Sequence, residues 1–321
     1  MRTGILSEAD VLQLVNPRDA YDAVVHAHQA LSRGEAVNSI RLRARSDAMS
    51  LHTMSALDRS RNYAGSKIYS AFGRMVACHF LLYRVSNGEL LTMIEAKELG
   101  RLRTAAANTA ALRALHPGTV ETIGIIGTGY QAEGLARSLA AFRTEIGFRR
   151  VLVHSRTPAS MTSFISSVTK QHGLELEPVS SCQELCERSD AIFTATNSMS
   201  PVVEHDWLKR TKVICAFGAN ALIRRELSPR VVTSAKLVVV DETEVAKCEG
   251  GNLLPAIETG RLQWRMVWEL GAVLCGRHLP EGESGYIVFC SHGLAVQDLA
   301  LASVVYERAL GQGRIKAPTD A

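Results

Sequence analysis

From residue 17 onward the apolar positions fall at helical spacing. Tyr21, Val24, Val25, His28 and Leu31 recur every three or four residues, which predicts a helix from Pro17 to about Gly34, with Asn16 as its cap. The period then changes to two. Across NSIRLRAR at 38–45, Ile40, Leu42 and Ala44 alternate with Arg41, Arg43 and Arg45, the pattern of a half-buried strand with a basic face. Strand-like runs follow at 51–56, 65–71 and 77–85, and Asn87-Gly88 turns the chain into another at 89–96. Consecutive strands joined by short turns imply a mainly antiparallel sheet. An alanine-rich helix at 97–115 ends at His116-Pro117-Gly118, where a domain boundary is expected. Beyond it, apolar strands at 121–126, 149–154, 190–195, 212–217 and 236–240 alternate with helical segments, the grammar of a doubly wound parallel sheet. Residues 294–310 again read as helix.

Composition narrows the picture little. The 321 residues are 46% hydrophobic and 21% charged, an ordinary globular balance with room for two domains. A net charge of +4, without a basic block, gives no reason to expect a nucleic-acid partner. Seven scattered cysteines include no C-x-x-C pair; Cys182 and Cys186 lack the companions a zinc site needs, so no metal is expected. The N-terminus lacks the layout of a signal peptide, and no apolar run is long enough to span a bilayer. A cytoplasmic protein with reduced thiols is expected.

The chemistry enters at IGIIGTGYQA, residues 123–132. An apolar strand runs into Gly127-Thr128-Gly129, and a helix follows through Tyr130, Gln131 and Ala132. The first glycine permits a tight turn, and the second lets backbone approach a pyrophosphate. The small Ala132 lets helix and strand pack closely, and the helix N-terminus offers unpaired N–H groups to phosphate. This context makes a Rossmann-type dinucleotide site. An Asp or Glu ending the next strand would bind a free ribose 2′-OH, but Ser155, Arg156 and Thr157 stand there. A guanidinium suits a 2′-phosphate, so NADP(H) is favoured, with NAD(H) as the alternative.

With the flanking motifs, the chain resembles the ornithine cyclodeaminase/mu-crystallin family along nearly its whole length. The likeness rests on GSKIYSA, NGELLTMIEA, LRTAAANTAAL, IGIIGTGYQA, FGAN and RREL at 217–227, VVVDE, CEGGNL, ELGAVLCG and FCSHGLAVQDLALA, in that order. It implies a substrate-binding and dimerisation domain from 1–118 and 296–321, built on the antiparallel sheet, and an NAD(P)-binding Rossmann domain from 119–295. It implies a homodimer and a small α-imino or α-amino acid substrate. By position it makes Arg41, Lys67 and Arg103 the grip on the substrate carboxylate, with Arg43 competing for the role of Arg41, and it places Ser291 near the nicotinamide carboxamide. Three cations brought together from separate segments are costly unless an anion lies among them. Burial and cationic neighbours weaken an ammonium's hold on its proton, so Lys67 is also expected as general acid.

One departure bears on the reaction. Cyclodeaminases of the family carry an Asp shortly after the glycine at the strand end that here reads Phe217-Gly218-Ala219-Asn220. An amide can orient a water or an amine but cannot take up a proton, and loss of a general base costs about 10²–10⁴-fold. An NADP(H)-dependent imino-acid (ketimine) reductase or amino-acid dehydrogenase is therefore preferred. Ornithine cyclodeaminase and a nucleotide-dependent binding protein are the alternatives. Asn252, where relatives often have Asp, has no role from sequence. His292 is a candidate proton donor, and Asp298 is open between salt bridge, cap and catalysis.

Overall fold

A computed structural model describes residues 4–73, 75–280 and 285–316. Its chain divides into two compact units: residues up to Ala106 together with those from Leu294 on, and Ala107–Gly293. The division falls within the helix Lys97–Leu115, not at the His116-Pro117-Gly118 break that the sequence suggested. The helix's second half is buried in the second unit, where the Thr109 hydroxyl meets that of Ser138 at 2.8 Å. A helix stop marks where backbone bonding ends, not where packing changes partner.

The first unit is built on a seven-stranded sheet. Its strands run in the order Gly4–Leu6, Leu90–Glu95, Met75–Arg84, Tyr63–Phe72, Met49–Asp58 and Ala36–Asn38, and Leu42–Arg45 also pairs with Met49–Asp58. Among the described residues, only Gly4–Leu6 pairs in parallel; the other pairs are antiparallel, as expected. Cross-strand partners share a face. Met54, Lys67 and Phe80 therefore form one step of a face, and Arg43, His52, Tyr69 and Cys78 form the next. The helix Ala295–Gly311 packs against these strands and against the helix Pro17–Ser32, over a core that includes Val24, Phe80, Leu82, Ile94 and Leu301. The latter helix starts as read, with the Asn16 side chain accepting from the N–H groups of Arg18 and Asp19.

The 38–45 segment departs from expectation. The strand Ala36–Asn38 ends at its start, residues 39–41 lie outside any strand, and Leu42–Arg45 is a second short strand. The apolar residues are turned outward: Leu42 is 62% exposed and Ile40 43%, whereas Arg41 is 8% exposed. Alternation shows that two faces differ; it does not say which one the fold covers. The outward face continues through Met49, Leu51, Phe72 and Met75, all exposed.

The second unit holds an eight-stranded sheet in which every pairing is parallel. Its order is Glu177–Pro178, Arg150–His154, Thr122–Ile126, Ala191–Thr194, Val213–Ala216, Ile287–Cys290, Leu237–Val240 and Trp268–Glu269. The five predicted strands are present. Ile287–Cys290, not anticipated as a strand, inserts between Val213–Ala216 and Leu237–Val240. Its four buried apolar residues carry no periodicity by which to recognise it. Thr122–Ile126 has the next strand in sequence on one side and a later one on the other, the topological switch point where doubly wound sheets bind ligands.

Candidate active site

Lys67 lies near the middle of the strand Tyr63–Phe72, on the face covered by helices, and is 6% exposed. Its ammonium donates to Asp298 Oδ1 at 2.7 Å. Arg103, from the helix Lys97–Leu115, donates through Nε to the same oxygen at 3.3 Å and through Nη1 to Gln297 Oε1 at 3.1 Å. Gln297 in turn meets His28 Nε2 at 2.9 Å. The Cβ direction of Gly100 points at Lys67, and a methyl group there would lie 2.8 Å from Nζ. The bare glycine makes room for the ammonium.

Arg41 sends Nε to Met54 Sδ at 3.2 Å, and Met54 is the register partner of Lys67. Arg41 thus stands at the Lys67 step of the sheet, and Arg43 one step further out beside His52. Asp298 is completely buried. Burial alone pushes its carboxyl upward, but Arg103 and then Lys67 outweigh that and hold it below the ordinary carboxylate range. A single carboxylate shared by two buried cations carries one negative charge against their two positive ones.

Asp298 and Gln297 were not placed in this cluster from sequence, where Asp298 was open between three roles. It makes salt bridges to both cations. The available signal was their position: adjacent polar residues in the otherwise apolar run LAVQDLALA.

In the second unit the glycine turn has the geometry a dinucleotide needs. Gly127 has φ +109°, and a Cβ on it would lie 2.6 Å from the Ala195 carbonyl oxygen. Above Gly129, by contrast, a Cβ would meet nothing within 4 Å. Gly129 caps the helix Tyr130–Ala141 without a side-chain bond, so phosphate can approach the first-turn N–H groups. Ala132 is fully buried, as close packing requires. Tyr130 and Gln131 are half-buried. Thr128 Oγ1 contacts Ser155 Oγ at 3.1 Å and Ser160 Oγ at 2.7 Å, tying the turn to the end of the next strand. Arg156 and Thr157 follow there, exposed.

Two buried carboxylates brace the neighbouring strand ends. Glu226 accepts from the Thr196 N–H and hydroxyl and from the N–H groups of Gly218 and Ala219, at 2.7–3.2 Å. Burial moves its carboxyl upward despite these donors. Asn252 has a structural part: its Oδ1 accepts from the N–H groups of Glu226 and Leu227 at 2.7 and 3.1 Å. Asn220, half-buried in the same loop, accepts from Arg224 Nη1 at 3.1 Å. Asp241 accepts from the Ser291 hydroxyl at 3.0 Å and from the N–H groups of His292 and Gly293.

No group of three or more His, Cys, Asp or Glu side chains suited to a metal occurs among the described residues. No helix among them is long and apolar enough to cross a membrane.

Residues 1–313 match the model of the ornithine cyclodeaminase/mu-crystallin family. A Delta(1)-pyrroline-2-carboxylate reductase of Bacillus cereus is 31% identical over 228 residues, covering 70% of this chain and 69% of the relative. An alanine dehydrogenase of Archaeoglobus fulgidus is 30% identical over 97% of both chains. Among solved structures, the Thermococcus litoralis Delta(1)-pyrroline-2-carboxylate reductase in complex with NADH and L-proline superposes with a TM-score of 0.90. It is 25% identical, and the match covers 99% of this chain and 100% of that one.

Proposed function

The chain belongs to the ornithine cyclodeaminase/mu-crystallin family, and from that premise we propose that it is a nicotinamide-dependent reductase of small α-imino acids that prefers NADP(H). In the reverse direction it is an amino-acid dehydrogenase. The observation that carries this reading is the convergence of Lys67 and Arg103 on one buried carboxylate, with Arg41 at the same step of the sheet. Arg103 grips the substrate carboxylate, supported by Arg41, because planar guanidinium groups match carboxylate geometry.

Reduction of a C=N bond places a hydride on carbon and a proton on nitrogen. When bound, the reduced nicotinamide supplies the hydride. Lys67 supplies the proton through Nζ, held in place by Asp298 and by the space left at Gly100. Asp298 also gives Lys67 a counter-charge. Gly127, Thr128, Gly129 and the first turn at Tyr130, Gln131 and Ala132 take the pyrophosphate. Ser155, Arg156 and Thr157 take the 2′-phosphate. Ser291 spends its proton on Asp241, which leaves its oxygen to accept from an amide such as the nicotinamide carboxamide.

Asn220 carries no acid–base capacity, which favours reduction over cyclodeamination; its part is to orient a water or an amine. The NADH complex of the T. litoralis relative favours NAD(H) as the second reading for the cofactor. The cysteines stand as thiols, not in disulfides, which suits a reducing compartment, the cytoplasm. The outward apolar face of Leu42, Met49, Leu51, Phe72 and Met75 suits a homodimer interface.

The test is a spectrophotometric screen of imino acids with NADPH and NADH in parallel, scored by amino-acid product. Oxidation of NADPH matched by new amino acid supports the reading. Proline and ammonia formed from ornithine, without net change in nicotinamide absorbance, would replace it with the lyase.

A further inference from the structure

His28 belongs to the buried stripe of the helix Pro17–Ser32 and is 1% exposed. An imidazole in such a place needs polar partners, because an unmade hydrogen bond is costly in a core. One partner is the buried Gln297 carboxamide, whose Nε2 lies 2.9 Å from His28 Nε2. At its other end Gln297 Oε1 accepts from Arg103 Nη1 at 3.1 Å and from the Leu294 N–H at 3.2 Å. Two donors on one oxygen settle which end of the amide is which. Turned over, its NH2 group would face a guanidinium and a backbone N–H. The carboxamide nitrogen therefore donates to His28, whose Nε2 accepts and whose proton sits on Nδ1. Arg103 is held from a second side by Asp298, which accepts from Nε at 3.3 Å.

We propose that His28 is a positioning residue for the reductase: through Gln297 it fixes the Arg103 guanidinium in the orientation that receives the substrate carboxylate. The inference rests on the reductase reading, with Arg103 as the carboxylate grip, and names what holds that grip in place. An arginine side chain turns about several bonds, and its fork meets a carboxylate with paired hydrogen bonds only when its plane is correctly set. Bonds through two different nitrogens, Nε to Asp298 and Nη1 to Gln297, set that plane. Neither bond uses Nη2, which stays for the substrate. Asp298 also serves Lys67 and meets Arg103 through Nε alone. The second anchor holds only while the carboxamide oxygen faces Arg103, and that needs an acceptor for the nitrogen at the far end. His28 supplies it. Without His28 that bond is lost, and an amide that turns to replace it takes its oxygen away from Arg103.

The test follows NADPH-dependent reduction of Delta(1)-pyrroline-2-carboxylate by two variants. His28→Met removes the acceptor, and His28→Gln offers a side-chain oxygen in the place of Nε2. His28→Met should raise the KM for the imine about tenfold and change kcat by less than about threefold, the pattern of lost binding common to ground and transition states. The KM for NADPH should stay within about twofold. His28→Gln should stay within about threefold of the wild type in every constant, because its oxygen accepts as the imidazole does. Gln297→Met should raise the imine KM at least as much as His28→Met. Adding His28→Met to it should bring less than about a further twofold, since both changes act on one bond to Arg103. Apart from turnover, the L-proline concentration that half-protects the NADP⁺-bound protein against heat should rise about tenfold in His28→Met and stay near the wild-type value in His28→Gln. Equal effects of His28→Met and His28→Gln, or losses that fall alike on kcat, NADPH and imine, overturn the positioning role and leave the reductase reading standing. Where His28→Met does not fold, Gln297→Met is read in its place, and a wild-type imine KM there overturns the proposal. No reduction of any imine by the wild type overturns both.

Discussion

Lys67 and Asp298, 231 positions apart in the chain, form a buried ion pair at 2.7 Å, with Arg103 on the same carboxylate oxygen. Removing the anion leaves two buried cations facing each other. Asp298→Ala should therefore destabilise the protein by about 3–5 kcal/mol, the range for breaking a buried pair. Lys67→Met leaves Asp298 paired to Arg103, so its loss should be clearly smaller. Urea denaturation of the two variants checks the order; equal losses would argue against the shared-carboxylate account.

Gly100 separates helix propensity from function. Alanine in a helix interior is favoured over glycine by up to about 1 kcal/mol. Here the added methyl group would lie 2.8 Å from Lys67 Nζ. Gly100→Ala should keep or slightly raise the thermal midpoint while lowering kcat/KM about tenfold or more, because small misplacements of a catalytic group are costly. Unchanged kinetics would show that Lys67 tolerates displacement.

Asp58 gives a pH prediction. Burial opposes its ionisation, but bonds from His26 and Ser60 win and hold its carboxyl at about 2. A carboxyl whose folded value lies below its unfolded value of about 3.9 adds stability that is fully present above the unfolded value and is lost as pH falls through the folded one. About 2 kcal/mol should disappear between roughly pH 4 and pH 2 from this group. Asp58→Asn should flatten that part of the stability–pH curve, measured by denaturant unfolding.

Phe72 and Met75, 53% and 68% exposed, are cross-strand partners on the outward apolar face. If that face joins two copies, Phe72→Glu should shift the protein to monomer in light scattering, with near-native circular dichroism. A dimer that survives this change would place the interface elsewhere.

The proposed preference for NADP(H) rests on Arg156, exposed at the end of the strand that follows the glycine turn. Arg156→Ala should lower kcat/KM for NADPH by about 10- to 100-fold, the worth of charge-assisted bonds to a phosphate, and leave NADH nearly unaffected. Equal losses with both cofactors would return Arg156 to the solvated surface.

What could be read in advance follows the range of the forces involved. The helices Pro17–Ser32 and Lys97–Leu115 and the turn at Gly127 are set by neighbours within a few residues, and their patterns stand in the chain itself. Lys67, Arg103 and Arg41 could be picked out by the resemblance to the family, which places them together on the substrate carboxylate. Their internal counter-charge could not, because Asp298 arrives from the last helix and only tertiary packing brings it near. The same limit hid the insertion of Ile287–Cys290 into the sheet and the inward turn of Arg41. Asn252 had no visible role because its partners, two backbone N–H groups in another loop, leave no mark on side-chain pattern.

The most direct test is one variant followed by two readouts. With Delta(1)-pyrroline-2-carboxylate, the wild type should oxidise NADPH in step with the appearance of proline. Lys67→Met should bind NADPH normally by fluorescence yet show no turnover above background. A Lys67→Met enzyme that reduces the imine at the wild-type rate would contradict the assignment of the buried ammonium as the group that grips and protonates the substrate.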